Sequence, residues 1–237
     1  DVAALIPPDS LLDLEARARG ANLYLPEGTV TMLPPAATQW LGLGLAELSP
    51  ALSFGLDLND AGEVVQLEIV PSWVHVTRLT YEEAETRLDE EPLKSLYEVA
   101  QQAETRRQQN GAVHIDLPEV RVRVNDGGEV EIRPLPNLHS RDLVREAMLL
   151  AGEAVARFAF AHNIPLPYTT QEAPAEALPP AHTLSDFFAR RRLMKPSEQS
   201  SVPGAHAGLG LGLYAQATSP LRRYLDLVVH QQLRAYI

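Results

Sequence analysis

The sequence Thr218-Ser219-Pro220-Leu221-Arg222-Arg223-Tyr224 begins the last apolar pattern of the chain and predicts where its final helix starts. Ser219 is typical of a helix N-cap, and Pro220 of a first helical residue, where the missing N–H costs nothing. Two cations in a first helical turn oppose the helix dipole unless an anion lies there. The stretch therefore predicts either a phosphate-binding helix N-terminus or a surface helix with solvated arginines.

The residues on both sides of this stretch fit that prediction. Apolar residues recur at helical spacing, which predicts an amphipathic helix over residues 219–236; they are Leu221, Tyr224, Leu225, Val228 and Val229. A glycine-rich run over residues 208–212 comes before it, and glycine lets the backbone approach a ligand closely.

The composition limits the classes of function. The chain has 237 residues, a net charge of −11 and no cysteine, which excludes disulfides and thiolate zinc sites and permits a reducing interior. No apolar run approaches the roughly 20 residues of a membrane span. The acidic balance argues against a general nucleic-acid coat, but it allows a narrow basic channel. Basic residues do cluster locally, at Arg106-Arg107, Arg121 with Arg123, Arg190-Arg191-Arg192 and Arg222-Arg223.

The apolar patterns predict an α+β fold. Strands are expected as hairpins, with arms at residues 52–58 and 64–70, continuing over 73–78, and at 120–124 and 130–133. Helices are expected over residues 11–19, 80–88, 92–110, 140–161, 184–194 and 219–236, with a proline-rich loop at 164–180. We therefore expect an antiparallel or mixed sheet with hairpins, packed by several helices.

Six blocks of sequence, in one order, resemble the catalytic domain of the ribonuclease II/R (RNB) family. They are residues 12–26, Met32-Leu33-Pro34, residues 79–84, Gly111-Ala112, Glu146-Ala147-Met148, and the C-terminal signature over residues 208–230. The resemblance covers nearly the whole chain. It implies that residues 1–237 form the major, C-terminal portion of an RNB exoribonuclease catalytic domain.

The family's reaction is the processive hydrolysis of single-stranded RNA from its 3′ end to nucleoside 5′-monophosphates. Two Mg²⁺ ions held by aspartates serve this displacement, and the family's aspartate cluster lies upstream of the segment that matches Asp1. The resemblance therefore implies magnesium ligands upstream of residue 1, and we assign no metal ligand within the chain. It also implies flanking oligonucleotide-binding barrels, and we expect a cytoplasmic monomer. The alternative is a catalytically inactive RNB-like module that binds RNA or a protein partner.

Arg222 matches the family arginine that holds a phosphate next to the scissile bond, so the resemblance implies a catalytic, electrostatic role for it. Ser219 and Arg223 are further expected RNA contacts, although Arg223 would point about 100° away from Arg222 around a helix. Glu146 matches a glutamate with an RNA-facing role. Its neighbour Arg145 could meet a phosphate or pair with Asp142.

The resemblance also implies aromatic platforms for RNA bases. Tyr24 and Tyr81 match family tyrosines that border the bases, and each stacking contact is worth roughly 1–3 kcal/mol. From the residues alone, Tyr24 could equally fill the core and Tyr81 could brace a helix start. The family's clamping phenylalanine is replaced by Ile115, or by His114 if the register slips by one residue. The sequence therefore predicts altered recognition of the RNA 3′ end.

Overall fold

The computed structural model describes residues 1–125 and 127–237 and confirms an α+β fold. The helices are α1 (Val2–Leu5), α2 (Leu11–Arg19), α3 (Pro35–Leu41), α4 (Tyr81–Glu85), α5 (Leu93–Gln109), α6 (His139–Ala161), α7 (Leu184–Leu193) and α8 (Tyr224–Tyr236), with a 3-10 turn at Ala207–Leu209. The strands are β1 (Leu23–Leu25), β2 (Gly28–Val30), β3 (Ser49–Leu58), β4 (Val64–Val74), β5 (Val120–Val124), β6 (Val130–Pro134), β7 (Tyr168–Thr170) and β8 (Glu198–Ser200).

The strands of the described residues form four separate two-stranded antiparallel ribbons, β1–β2, β3–β4, β5–β6 and β7–β8. The expected antiparallel hairpins packed by helices are therefore confirmed, and each hairpin forms a small sheet of its own. The expected strand over 73–78 already ends at Val74, and the expected loop over 164–180 contains β7. The turn that the sequence predicts for the second hairpin includes Asp126, which lies outside the described residues.

The helix ends follow local capping chemistry where the capping side chains are adjacent in sequence. The side chain of Ser10 accepts the Asp13 amide of α2, which ends at Gly20 with φ 74°, a backbone conformation that favours glycine. Thr80 and Glu83 form the predicted capping box of α4. Among the described residues, no helix is long and apolar enough to cross a membrane.

The main core lies where α6, α8 and the β3–β4 ribbon meet. Its buried residues include Val155 and Ala159 of α6, Val229 and Leu233 of α8, and Leu52 of β3. Helix α6 packs closely on the segment before α8 at Gly152, where an added Cβ would fall 2.6 Å from the Ala215 carbonyl oxygen. This close packing holds the segment that leads to α8 against the middle of α6.

A second buried cluster joins the two ends of the chain. It includes Val2, Ile6, Ala16, Leu33 and Leu227, so α1 and α2 pack on the first turns of α8. The buried amide of Gln231 on α8 adds polar contacts, because it donates to the Ile6 carbonyl (3.0 Å) and to Asp13 (2.9 Å). Helix α8 therefore lies between both clusters and positions the residues at its own start.

We expect stability to fall on mild acidification because of buried histidines. Burial lowers the pKa of His230, whose Nε2 donates to the Ala217 carbonyl, and burial also lowers the pKa of His206. Below the unfolded-state pKa of about 6.5, the unfolded chain binds more protons than the folded chain. Folding stability should then fall by up to about 1.4 kcal/mol per pH unit for each histidine.

Urea unfolding between pH 7.5 and 5.5 measures this dependence. His230→Gln, which keeps a donor for Ala217 but does not titrate there, should show a shallower slope than the wild type. The matched control is His182→Gln at an exposed position, which should leave the slope unchanged. Equal slopes in the wild type and His230→Gln would contradict the assignment.

Candidate functional site

The turn before α8 differs from the sequence prediction. Residues from Ser219 to Arg222 form a turn, in which the amides of Arg222 and Arg223 both donate to the Ser219 carbonyl (3.1 and 3.0 Å). The helix begins only at Tyr224, with the extended Arg223 in its N-cap position. The expected helix start at Ser219 and Pro220 is therefore wrong by four to five residues.

The physical reason is pairing with a distant segment. The Asn22 amide donates to the Arg222 carbonyl (2.9 Å), and the Tyr224 amide donates to the Gly20 carbonyl (2.8 Å). Ala21 and Arg223 form an antiparallel bridge between these two bonds. Because the Arg222 carbonyl and the Tyr224 amide are bonded to residues 20–22, neither is available for a helical hydrogen bond within residues 219–226, and the helix begins only at Tyr224. We call residues 20–25 together with 219–224 the turn junction.

A buried carboxylate completes the turn junction. Asp226, in the first turn of α8, is 0% exposed, and its Oδ1 accepts the Ser219 amide (2.7 Å). The same oxygen accepts Nη2 of Arg223 at 2.7 Å. The Ser219 amide and the Arg223 guanidinium are therefore directed at Asp226. Contact of Ser219 or Arg223 with RNA stays a prediction.

Arg222 is placed differently from its neighbour. Its side chain is exposed, and its guanidinium has no hydrogen-bond or ion-pair partner within residues 1–125 and 127–237. Its backbone, by contrast, is held at both the amide and the carbonyl. A fixed backbone that carries an unpaired guanidinium is suited to binding a phosphate, because Arg presents several donors to anionic oxygens.

Tyr24 lies at the same turn junction. It is 61% exposed on β1, two residues after Asn22, whose amide bonds the Arg222 carbonyl. Its exposure does not fit the alternative in which it fills the core. Tyr224, by comparison, packs on the N-terminal cluster, and its hydroxyl donates to Asp13 at 3.2 Å. The turn junction thus brings one unpaired cation and one exposed aromatic ring into the same region.

Three other expected site residues line a cavity of about 620 Å³ between α6 and the loop over residues 112–119. They are Tyr81, His114 and Ile115, and the cavity is also lined by Arg107, Arg141 and Arg145. The His114 ring packs edge-on against Phe187, with centroids 5.9 Å apart, and its carbonyl accepts Nη1 of Arg190 at 3.1 Å. The loop that carries His114 and Ile115 leads into β5.

The cavity and the turn junction are connected through the hairpins. The Val124 amide at the end of β5 donates to the Pro26 carbonyl in the β1–β2 turn (3.1 Å). The β1–β2 ribbon carries Tyr24, while the chain preceding β5 lines the cavity. The structure therefore groups the expected residues into two connected sets rather than one.

Glu146 lies beneath the cavity instead of facing it. It is 1% exposed, and it accepts Nε and Nη2 of Arg107 at 2.9 and 2.5 Å. Arg145 reaches the same carboxylate with Nε at 3.1 Å. This placement corrects the expectation of an RNA-facing Glu146, because the carboxylate is buried and fully engaged.

The two arginines that contact Glu146 each have further partners. Arg107 uses Nη1 to hold the Leu209 carbonyl at 3.0 Å. Arg145 pairs with Asp142 at 2.6 Å and with Glu104 at 3.4 Å. Of the two readings left open for Arg145, the structure therefore favours pairing with Asp142 over contact with a phosphate.

Sequence reasoning missed Arg141 in the first turn of α6. Its guanidinium carbon lies 4.7 Å from the centre of the Tyr81 ring, at the wall of the cavity. The signal that identified Arg222, a cation near a helix N-terminus, also applies to Arg141. Unlike Arg107 and Arg145, Arg141 has no carboxylate partner in the part of the chain that the structure describes.

The described residues do not fit a magnesium site. Within residues 1–125 and 127–237, no group of three or more histidine, aspartate or glutamate side chains is arranged to hold a metal ion. Asp1 pairs with Arg234 at 2.9 Å. We therefore assign no metal-dependent step to these residues.

The chain is similar in sequence to a known domain family and to two ribonucleases. The model of the RNB domain matches residues 1–185 and 178–237. An uncharacterized ribonuclease of Synechocystis, sll1290, is 43% identical over 251 residues, covering all of this chain and 37% of that protein. Ribonuclease II of Arabidopsis thaliana chloroplasts and mitochondria is 35% identical and is matched over 32% of its length. The chain thus spans about a third of these relatives.

Solved structures show the same fold. Mycoplasma genitalium RNase R in complex with ribose-methylated single-stranded RNA superposes with a TM-score of 0.86 at 20% identity, covering 100% of this chain and 45% of that one. Yeast Ssd1, described as a pseudonuclease, superposes with a TM-score of 0.76 at 18% identity, covering 99% of this chain and 35% of that one. At these identities the likeness shows the fold alone.

We expect Glu146→Leu to destabilise the chain strongly, because it leaves the Arg107 cation buried without its carboxylate. Removing one partner of a buried ion pair lowers the free energy of unfolding by about 3–5 kcal/mol. Replacing both partners by apolar residues lowers it much less. Urea unfolding of Glu146→Leu and of the double variant Arg107→Met/Glu146→Leu measures both effects. The control is Glu90→Ala, which breaks the exposed pair with Arg87 and should cost less than about 1 kcal/mol. Equal losses for Glu146→Leu and Glu90→Ala would show that the buried pair has no special role.

Proposed function

The chain belongs to the RNB domain family, and from that premise we propose that residues 1–237 form the RNA-binding portion of an exoribonuclease catalytic domain. The proposed reaction is the processive hydrolysis of single-stranded RNA from its 3′ end, which releases nucleoside 5′-monophosphates. The turn junction carries the proposal, because it presents the unpaired guanidinium of Arg222 and, two residues after Asn22, the exposed ring of Tyr24. Such a pair suits RNA, whose phosphates need cations and whose bases stack on aromatic rings.

Arg222 is the proposed catalytic residue of this chain. A guanidinium beside a phosphodiester stabilises the negative charge that develops on the phosphoryl oxygens during displacement. The pairing of residues 20–22 with 222–224 fixes the backbone of Arg222, so little reorganisation is needed when RNA binds. Arg223 takes a supporting role, because its contact with Asp226 anchors the turn that presents Arg222.

We propose that the complete protein uses magnesium. We also propose that it contains flanking oligonucleotide-binding barrels and is a monomer. When bound, Mg²⁺ would activate the attacking water and stabilise the leaving oxygen. The described residues supply no ligand set for it, so these residues are assigned only the binding and orientation of RNA. The absence of cysteine from the chain fits a reducing compartment, and we propose the cytoplasm.

A second candidate is a catalytically inactive RNB relative that binds RNA. One observation favours it: within residues 1–125 and 127–237 no group of three or more histidine, aspartate or glutamate side chains is arranged to hold a metal ion. Incubation of the complete protein with 3′-extended single-stranded RNA separates the two candidates. Release of nucleoside 5′-monophosphates with Mg²⁺, and its loss with EDTA, supports the exoribonuclease. Binding without release under both conditions supports the inactive relative.

We expect Arg222→Ala to weaken binding of a single-stranded RNA oligonucleotide by about tenfold, since charge-assisted hydrogen bonds contribute about 1.5–3 kcal/mol. The slope of log affinity against log salt should fall by about 0.7, as for the loss of one phosphate contact. Fluorescence anisotropy at several salt concentrations measures both quantities. The matched control is Arg157→Ala, which removes a half-exposed arginine from α6 and should leave the slope unchanged. An unchanged affinity and slope for Arg222→Ala would exclude its phosphate contact.

We expect Tyr24→Ala to weaken the same RNA by roughly 1–3 kcal/mol, because one stacking surface is lost. Tyr24→Phe should bind as the wild type does, since the ring and not the hydroxyl makes the contact. Neither variant should change the salt slope. Tyr236→Leu is the control, because residue 236 lies about 18 Å along α8 from residue 224. If Tyr24→Ala and Tyr236→Leu bind equally well, Tyr24 is not a stacking platform.

A further inference from the structure

Tyr81 and Arg141 are held together at one wall of the cavity by contacts between α4 and α6. The Ser140 hydroxyl donates to the Tyr81 carbonyl at 2.8 Å. The Ser140 amide donates to Glu85 at 2.8 Å, and the His139 ring contacts the same carboxylate at 2.9 Å. Burial acts to raise the pKa of Glu85, but these hydrogen bonds outweigh it and hold the pKa below its usual value. The start of α6 therefore has its own carboxylate cap and is rigidly placed against Tyr81.

The Arg141 guanidinium contacts an aromatic ring but has no carboxylate partner within the described residues, which leaves it able to bind an anion. Its Cζ lies over the Tyr81 ring, 4.7 Å from the ring centre, which is within the range of a cation–π contact. Its Nε is buried and has no hydrogen-bond partner in the part of the chain that the structure describes. Stacking occupies the face of a guanidinium but leaves its in-plane donors free.

The other charged residues that line the cavity differ from Arg141 in having partners or in being acidic. Arg107 is neutralised by Glu146, and Arg145 is neutralised by Asp142 and Glu104. Asp116 and Glu119 also line the cavity, so it is not a general anion site. Within the described residues, Arg141 is the one cavity arginine without a carboxylate partner. An anion that enters this cavity is therefore attracted to the wall formed by Arg141 and Tyr81.

We propose that Arg141 binds a backbone phosphate of RNA in this cavity and that Tyr81 is a positioning residue for it. The proposal rests on the proposed function, since it assumes that the cavity takes RNA. It assigns Tyr81 a role different from the base stacking that its sequence position suggests. The ring face covered by Arg141 is unavailable to a base, and the ring instead orients the guanidinium so that its in-plane donors meet the phosphate.

A double-mutant cycle on the full chain tests the proposal. Affinity for a single-stranded RNA oligonucleotide is measured at several salt concentrations for the wild type, Arg141→Ala, Tyr81→Leu and the double variant. Arg141→Ala should weaken binding about tenfold and lower the salt slope by about 0.7. Tyr81→Leu should weaken binding by a smaller factor, and the double variant should bind no more weakly than Arg141→Ala alone.

Conservative variants separate positioning from folding. Tyr81→Phe keeps the ring face and should bind as the wild type does, and Arg141→Lys keeps the charge and should keep the salt slope. Thermal unfolding of each variant shows whether it is folded, and Arg141→Gln replaces Arg141→Ala if the alanine variant is not. Additive losses in the cycle would mean that Tyr81 contacts a base itself and would overturn its positioning role. An unchanged affinity and slope for Arg141→Ala or Arg141→Gln would overturn the phosphate site.

Failure of this inference is distinguishable from failure of the proposed function. Arg222→Ala and the control Arg157→Ala are measured in the same series. If the wild type does not bind RNA, the proposed function fails. If Arg222→Ala lowers the salt slope and Arg141→Ala does not, RNA binding at the turn junction stands and the phosphate site at Arg141 is wrong.

Discussion

The antiparallel pairing of residues 20–22 with residues 222–224 is the constraint on which the candidate site depends. It joins two segments about 200 residues apart in sequence, and it delays the start of α8 to Tyr224. Asp226 completes the arrangement, because its buried carboxylate accepts the Ser219 amide and the Arg223 guanidinium. The Ser219 amide and Nη2 of Arg223 are thereby engaged inside the protein, whereas the Arg222 side chain has no partner within residues 1–125 and 127–237. Among the described residues, the fold thus leaves the Arg222 guanidinium unpaired, while the Ser219 amide and the Arg223 guanidinium bond to Asp226.

A second set of buried charges organises the cavity in the same way. Arg107 joins α5 to Glu146 of α6 and to the Leu209 carbonyl, and Arg106 joins α5 to Glu153 of α6. Buried pairs of this kind contribute little net stability, but losing one partner is costly, so they define how two helices must pack. They bring the end of α5, the loop after it and the middle of α6 to one place. Again the arginine that faces the cavity unpaired, Arg141, is the exception among satisfied neighbours.

The residues that the sequence predicts as RNA contacts lie at different places in the structure. Tyr24 and Arg222 lie at one turn junction, Tyr81, His114 and Ile115 line the cavity, and Glu146 is buried beneath it. A match to a family motif assigns a residue to a position along the chain. It does not say whether that side chain faces a ligand or another side chain, because the answer depends on charges brought in by other elements. Glu146 shows this most clearly, since Arg107 is 39 residues away in sequence.

The sequence by itself determined the features whose causes are local. Helix α2 with its bounds, the capping box of α4 and the arms of both hairpins follow from side chains a few residues apart. The family blocks also predict Arg222 and Tyr24 as RNA contacts. Only the tertiary structure decided the start of α8, the burial of Glu146 and the pairing of Arg141 with Tyr81. The N-cap preference of Ser219 typically favours a helix start there by about 1 kcal/mol. Two backbone hydrogen bonds to residues 20–22 and one to Asp226 outweigh that preference, and no local pattern reveals them.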